Sequence, residues 1–379
     1  MNVETLDLKT RDEKIAEVAV SGANLETSNG GKGAVKSAGG EAVKSAGNGA
    51  GSRMSNESFI SLFMVGVLVV LFAVACLFVP NFYRPQNMIN LLTNNWYIII
   101  VGIGVTFLLI TGNFDMSVGG VIALTGVLSV YFCQGARVSQ NVLANGLGLP
   151  YGAAVLLALL CAMGIGGINA FFIARLRVPS IIITLGTMMF ARGIAQIVTR
   201  GAQRNTSLPD VFGVVGNMAI PGTSIKVSVL IMVFLVAAAF IFERKTVSGR
   251  RTYLIGANRV AARLSGIRVE RHLTYLYLLS SLLAGITGIL LASEFKAGVS
   301  SRAMGYEFDA LVVTLLGGVS IAGGFGSVLG MFVGAVLLSV MTSSATGLLL
   351  SPNWQFTLKG LVTFIAILAQ RFALDRRKG

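Results

Sequence analysis

Between Phe59 and Phe242 the chain carries only two acidic residues, Asp115 and Asp210, in a stretch dominated by Leu, Ile, Val, Ala, Phe and Gly. A succession of apolar runs of ~20 residues can satisfy its backbone in lipid only as helices, because a bilayer core offers no water to free N–H and C=O groups. Composition agrees: 54% of residues are hydrophobic and 12% charged, about half the charged share of a soluble domain. The sequence therefore predicts an all-α integral membrane protein. Ten spans are expected, near 59–79, 96–112, 116–133, 151–174, 180–199, 226–242, 273–292, 306–322, 326–346 and 357–373.

The net charge of +14 is unevenly placed. Residues 1–58 hold seven Lys/Arg against eight Asp/Glu, and the remainder holds 23 against 8. The basic excess falls in loops between apolar runs: Arg175 and Arg177 in one turn, eight Lys/Arg in 243–272, and the end "RFALDRRKG". Lys and Arg in short loops mark the cytoplasmic side. Ten spans put all three, and both termini, on that side of the membrane. No basic patch on a soluble fold is visible, so no nucleic-acid partner is expected.

Three regions follow. Residues 1–58 read as a disordered cytoplasmic tail, because "AVKSAG" at 34–39 and 42–47 sits among Gly, Ser and Lys with little to bury. A short acidic helix over Val3–Val20 is the weaker expectation there. The first apolar run begins far from Met1, so no signal peptide is expected. Residues 59–375 form the transmembrane domain, and 376–379 a basic tail.

Chemistry is sparse. Cys76, Cys133 and Cys161 lie in apolar runs and read as small buried hydrophobes. The single histidine, His272, has no partner spacing for zinc or nucleophilic catalysis. No Gly-x4-Gly-Lys-Ser/Thr loop occurs, and "GGKGAVKS" fails the spacing, so ATP would be bound elsewhere.

Most of the 46 glycines read as packing residues that let membrane helices approach. Two stretches differ. "TGNFDMSVGG" interrupts the second and third spans, and "LLGGVSIAGGFGSVLG" the eighth and ninth. Irregular backbone at membrane depth is tolerated only when buried in protein or lining a cavity, and paired interruptions point to a transport path. At an offset of 210, Ser117-Val118-x-Gly120 matches Ser327-Val328-x-Gly330, a slight suggestion of a repeat.

Within the first interruption Asp115 has two readings. It caps the helix that begins near Met116, or it lines the solute path as an intramembrane carboxylate. Arg192 in the fifth span either snorkels outward or pairs inside the bundle. Glu307 and Asp309 open the eighth span at a helix N-terminus and are candidates for an outer partner. Lys359 is expected at the membrane interface. In "LIGANRVAARLSGIRVERH", Asn258 is a candidate cap and Gly266 a terminator. Arg259 and Arg263 are one turn apart, and Ala261, Ala262 and Leu264 give a small apolar surface suited to docking in a groove.

At these residues the sequence resembles the permease subunits of bacterial ABC sugar importers of the ribose, xylose, galactose and autoinducer type, within the branched-chain amino acid/ribose permease superfamily. "LLITGNFDMSVGGVIALTGVL" is similar to the family's Thr-Gly-Gly-Ile-Asp-Leu-Ser-Val-Gly pattern. "YLIGANRVAARLSGIRV" is similar to its Gly-Gly-Asn-x-x-Ala-Ala-x-x-Ser-Gly-Ile pattern, and "YEFDALVVTLLGGVSIAGGFGSVLG" followed by "PNWQFTLKGLV" carries the third block. The likeness covers roughly 59–375. Departures are Asn113 and Phe114 for Gly-Ile, Met116 for Leu, Ala257 for the second Gly of the loop, and Phe325 in the Gly-Gly-x-Gly turn.

The resemblance implies a type II-like importer permease, not itself an enzyme. It would work as a homodimer or heterodimer with a second permease copy, a cytoplasmic ABC ATPase holding ATP and Mg, and a periplasmic sugar-binding protein. The substrate-pathway candidates are Asn113, Asp115, Ser117, Thr184, Arg192, Gly323 and Gly324. Those for ATPase contact are Gly256, Asn258, Arg259, Ala261, Ala262, Arg263, Ser265 and Gly266. Glu307 and Asp309 are those for the binding protein. The expected cargo is a monosaccharide or small polyol, handed over rather than tightly held. An ion-coupled secondary sugar transporter is the alternative, but it needs carboxylates at membrane depth, and Asp115 is the single clear one. An enzyme acting on lipids lacks a base or metal set.

Overall fold

The computed structural model describes residues 66–135, 145–223, 225–351, 353–362 and 364. The 1–58 tail with its repeat, the 376–379 tail and most of the expected last span lie outside the described residues.

The described residues are all-α. In chain order the main helices are α1 Gly66–Phe78, α2 Pro85–Thr93, α3 Trp96–Ile110, α4 Val118–Cys133, α5 Tyr151–Ala170, α6 Ser180–Thr199, α7 Val227–Lys245, α8 Val247–Ala257, α9 Arg259–Leu264, α10 Val269–Phe295, α11 Tyr306–Leu316 and α12 Val328–Gly347, with a further helix at 353–362 and a short helical stretch, Asp210–Gly213 and Val214–Asn217, between α6 and α7. α5 runs on through a π-turn, Phe171–Arg175.

Five of these are long and apolar enough to cross a membrane: α5 with its π-turn, α6, α7, α10 and α12. α2 and α3 make a sixth if taken as one broken span, bent by 48°. Pro85 sets the start of α2 without losing a needed N–H, and Asn94 and Asn95 separate it from α3. α1 and α4 are apolar but shorter. Among the described residues, five or up to six of the ten expected spans are thus long enough to cross, and two of the expected bounds are corrected. Within the 80–95 stretch, which the ten expected spans leave out, Pro85–Thr93 is helical and meets α3 across the break at Asn94 and Asn95. The expected 306–322 span ends at Leu316, because Gly318, Gly323, Gly324 and Gly326 all take positive φ and lead the chain out of the helix.

α10 is the central pillar. Its apolar stretch is 78% buried, against 22% for α6 and 28% for α7. It packs on α3, α4 and α5, and small residues permit the approach. A Cβ on Gly288 would strike Thr125 and the Ile122 carbonyl of α4, and one on Gly285 would meet Ala162 of α5. α5, α6 and α7 turn Leu156, Leu160, Ile182, Phe190, Ile197 and Phe234 outward. A soluble protein does not expose so much contiguous apolar surface, whereas lipid covers it at no cost. Of the cysteines, Cys133 is buried and Cys76 half-buried. Cys161 is exposed on that outward face of α5, which corrects the expectation that it is buried.

The two interruptions meet. Gly324 N donates to the Ile110 carbonyl at 2.7 Å, and both breaks open onto helices with a serine at the N-cap position, Ser117 for α4 and Ser327, whose side chain accepts from Gly330 N, for α12. They gather at the end of the bundle that also carries α8 and α9.

Candidate functional site

The break at 111–117 is a buried polar junction. Asp115 is 2% exposed. Its Oδ1 accepts from Ser117 N at 2.9 Å and Ser117 Oγ at 2.5 Å, and its Oδ2 accepts from Ser280 Oγ at 2.7 Å. The chain of donors continues outward: Asn169 Nδ2 donates to Ser117 Oγ at 2.9 Å, and Thr187 Oγ1 to Asn169 Oδ1 at 2.7 Å. One carboxyl thus ties the start of α4 to α5, α6 and α10. Nearby, Tyr277 Oη donates to the Phe114 carbonyl and Phe114 N to Ser180 Oγ, each at 3.0 Å.

The helix after the break begins at Val118, two residues later than expected, and Asp115 serves the N–H of the residue at its cap. Every oxygen of Asp115 is engaged by the chain itself. This geometry is that of an anchor rather than of a group facing a solute. Ser117 and Thr184 are likewise buried, and Thr184 Oγ1 returns to its own helix at the Ser180 carbonyl, 2.8 Å away. Gly323 lies against Gly112, and Gly324 against Gly256 and Ala257.

The predicted loop helix forms. Asn258 Oδ1 accepts from Val260 N at 2.9 Å and Ala261 N at 3.1 Å, and Gly266 closes the turn at φ 79°. The orientation corrects the expected apolar surface. Ala262 faces inward onto Ala174, Ile255, Val269 and Leu273, while Val260 and Leu264 are the exposed apolar residues. Ala261 and Ser265 are exposed as well. Arg263 pairs with Glu270 at 2.5 Å. Arg259 turns back to the break: its Nη2 donates to Asn113 Oδ1 at 3.0 Å and the Thr111 carbonyl at 3.1 Å. Both arginines line a cleft of about 480 Å³ with Asn113, Phe114, Ser180 and Glu270.

Arg192 does not snorkel. Its Nη2 lies 3.8 Å from Glu307 Oε2, and Glu307 is 3% exposed. Asp309 is buried too and accepts from Lys359 Nζ at 2.8 Å. Neither acid is presented to an outer partner, because each faces a cation from another helix.

Sequence reasoning missed Asn169, Thr187, Ser280 and Glu243. Glu243 stands at the edge of the basic 243–272 stretch, where a single acid draws no notice. It is buried, with Oε2 accepting from Val328 N at 2.9 Å and Oε1 2.6 Å from Tyr253 Oη. It therefore caps α12 from α7. Asn169, alone among apolar residues in "GIGGINA", was the available signal.

Comparison with known proteins gives a consistent picture. Residues 87–368 match the family described as the branched-chain amino acid transport system / permease component. The ribose import permease protein of Escherichia coli is 33% identical over 306 residues, covering 79% of this chain and 90% of that protein. The galactose/methyl galactoside import permease protein of Escherichia coli is 30% identical, covering 86% of this chain and 100% of that protein. The ribose import permease protein of Haemophilus influenzae is 29% identical, covering 84% and 94%. No solved structure matches the chain.

Proposed function

Because the chain belongs to the family of permease components of branched-chain amino acid transport systems, we propose that it is the membrane subunit of an ATP-driven importer of a monosaccharide or small polyol. It is a multi-pass inner-membrane transport subunit, and ATP hydrolysis takes place on a separate chain. Relatives named as ribose and galactose import permeases support sugar as the cargo class.

The observation that carries the reading is the α9 segment. A capped helix with Val260 and Leu264 exposed sits at one end of the bundle and reaches through Arg259 into the break before α4. Such a helix suits a groove on a cytoplasmic ATPase. Motion of that ATPase would reach the bundle through Gly256, Arg259 and the junction at Asp115. A binding protein would deliver solute at the opposite end, and a second permease copy, identical or not, would complete the path.

Ten passes fit this arrangement if α1, the broken α2–α3 pair, α4, α5, α6, α7, α10, α11, α12 and the 357–373 segment each cross once. Both termini, the 1–58 tail and the 376–379 tail are then cytoplasmic. The substrate-pathway, ATPase and binding-protein candidates keep their assignments except where burial argues otherwise. Asp115 and Thr184 become positioning residues, and Glu307 and Asp309 become internal partners of Arg192 and Lys359.

The test is reconstitution in liposomes with the ATPase and binding protein encoded beside it, measuring uptake of ribose, xylose, galactose and, as a control, leucine. ATP-dependent accumulation of a sugar is expected. Uphill accumulation by the chain alone under an ion gradient would replace this reading with the secondary-transporter alternative.

A further inference from the structure

The end of the bundle away from α9 holds a second polar feature that the sequence reading did not single out. α3 is 15 residues long, about 22 Å, and its Ile110 end touches Gly256 and Gly324. Its other end is the break at Asn94 and Asn95, and there a cavity of about 690 Å³ opens. That volume lies within the ~300–1,000 Å³ of small-molecule sites.

Its lining is unusual for this chain. Asn87, Asn90 and Asn94 recur at i, i+3 and i+7 along α2, which puts them on one face. Opposite stand Thr342, Ser343 and Thr346 at the end of α12. Each Asn amide offers two donors and an acceptor, and each hydroxyl one donor with two acceptor lone pairs. Within the protein they are only partly used. Asn90 Oδ1 accepts from Gln86 at 3.3 Å and Asn87 Nδ2 donates to the Phe82 carbonyl at 3.0 Å. Thr342 and Thr346 each donate to a carbonyl of their own helix at 3.0 Å and keep acceptor lone pairs, Thr346 accepting from Gln355 at 3.2 Å. The side chains of Asn94 and Ser343 find no hydrogen-bond partner among the described residues.

We propose that this cavity is a solute-binding station of the transport path, taking a neutral polyhydroxylated molecule between the Asn face of α2 and the Thr/Ser end of α12. The proposal rests on the importer reading above and deepens it. Three observations carry it. The site lies at a broken apolar helix, where the break frees backbone and side-chain polar groups that converge on the cavity. No acidic side chain lines it, which disfavours cations. Lys359, one of the two cations that line it, is held by Asp309 at 2.8 Å. What remains, beside the Arg84 guanidinium with its hydrogen-bond donors, is an amide and hydroxyl surface suited to sugar hydroxyls.

The experiment uses the full chain assembled with its ATPase and binding protein, with whichever of ribose and galactose the wild-type complex accumulates as probe. Asn90→Leu and Asn94→Leu together are expected to lower uptake by about ten-fold, since an apolar surface leaves the sugar's hydroxyls unpaired. Co-purification with the ATPase should persist. Uptake within two-fold (~0.4 kcal/mol) of wild type would overturn the station while leaving the importer reading intact. A second measurement covers a variant that fails to assemble. In a chain whose three native cysteines are replaced, Asn94→Cys is labelled by a membrane-impermeant maleimide. Labelling slowed by the sugar-loaded binding protein about three-fold or more beyond the slowing given by the sugar-free binding protein supports the site, and equal rates with the two overturn it.

Discussion

Arg259 Nη2 lies 3.0 Å from Asn113 Oδ1 and 3.1 Å from the Thr111 carbonyl. Two segments that the sequence presents 146 residues apart, a charged loop helix and a polar break between spans, are therefore one mechanical unit. Through the guanidinium, a displacement of α9 would pull on the backbone that precedes α4. Two residues beyond Asn113, the same backbone carries Asp115 and its links to α5, α6 and α10.

Cutting that link should separate hydrolysis from transport. Arg259→Ala removes two charge-assisted hydrogen bonds at a partly exposed site, a loss of ~1 kcal/mol or about five-fold in coupled uptake. Asn113→Ala removes one of the same contacts, so the double variant should be little worse than Arg259→Ala alone. Uptake per ATP hydrolysed, measured in proteoliposomes for the four chains of the cycle, checks this. Strictly additive losses would show that the two side chains act independently.

Asp115→Ala strands the donors of Ser117 N, Ser117 Oγ and Ser280 Oγ in a dry junction. Each unsatisfied buried group costs ~1–3 kcal/mol, so the variant should lose membrane abundance and thermal stability along with transport. Asp115→Asn keeps most acceptor capacity and should be milder. Fluorescence size-exclusion of heated membranes distinguishes the outcomes. An Asp115→Ala chain of normal abundance and melting temperature that fails only in uptake would return the residue to the solute path.

The membrane-spanning character, most helix positions and the Asn258 cap were legible because they depend on local signals: apolar length, polar interruption and capping chemistry. What was not legible depends on which helix faces which. Arg192 and Glu307 are separated by well over a hundred positions, and nothing in either neighbourhood says that they meet. Glu243 looked like one more loop charge, although it caps α12 at Val328. The broken α2–α3 pair escaped because four Asn and a Pro between 85 and 95 read as loop residues. Their polarity is that of a cavity wall rather than of solvent. Ala262 was assigned to the docking surface by residue type alone, and only the α8–α10 packing turns it inward.

The Arg192–Glu307 pair makes a double-variant test. The carboxylate is almost wholly buried, and Glu307 Oε2 with Arg192 Nε and Nη2 makes no hydrogen bond among the described residues. Removing one partner leaves a buried charge without its mate, which costs on the order of 3 kcal/mol. Glu307→Ala or Arg192→Ala alone should therefore lower abundance and melting temperature sharply. Arg192→Met combined with Glu307→Gln should recover most of both, since two neutral groups need no mutual compensation. If the double variant is no better than the worse single one, one charge has a task beyond pairing.

Gly256 and Gly266 flank α9 and should respond to alanine for opposite reasons. Gly256 closes α8, where alanine would by helix propensity alone stabilise by about 1 kcal/mol. Yet a Cβ there would press on the Ile110 carbonyl and the Gly324 amide, the point where both interruptions and α8 touch. Rigid backbone cannot yield as a flexible side chain does, so Gly256→Ala should destabilise by about 1–3 kcal/mol and disrupt uptake more than its effect on abundance explains. Gly266 sits at φ 79° with open space around it. Gly266→Ala therefore meets only left-handed backbone strain, ~1 kcal/mol, and should leave transport near wild type while weakening the turn. Melting temperatures and uptake measured side by side decide the matter. A Gly256→Ala chain more stable than wild type and fully active would mean that the Gly256–Ile110–Gly324 contact is loose, and with it the path from α9 to the breaks.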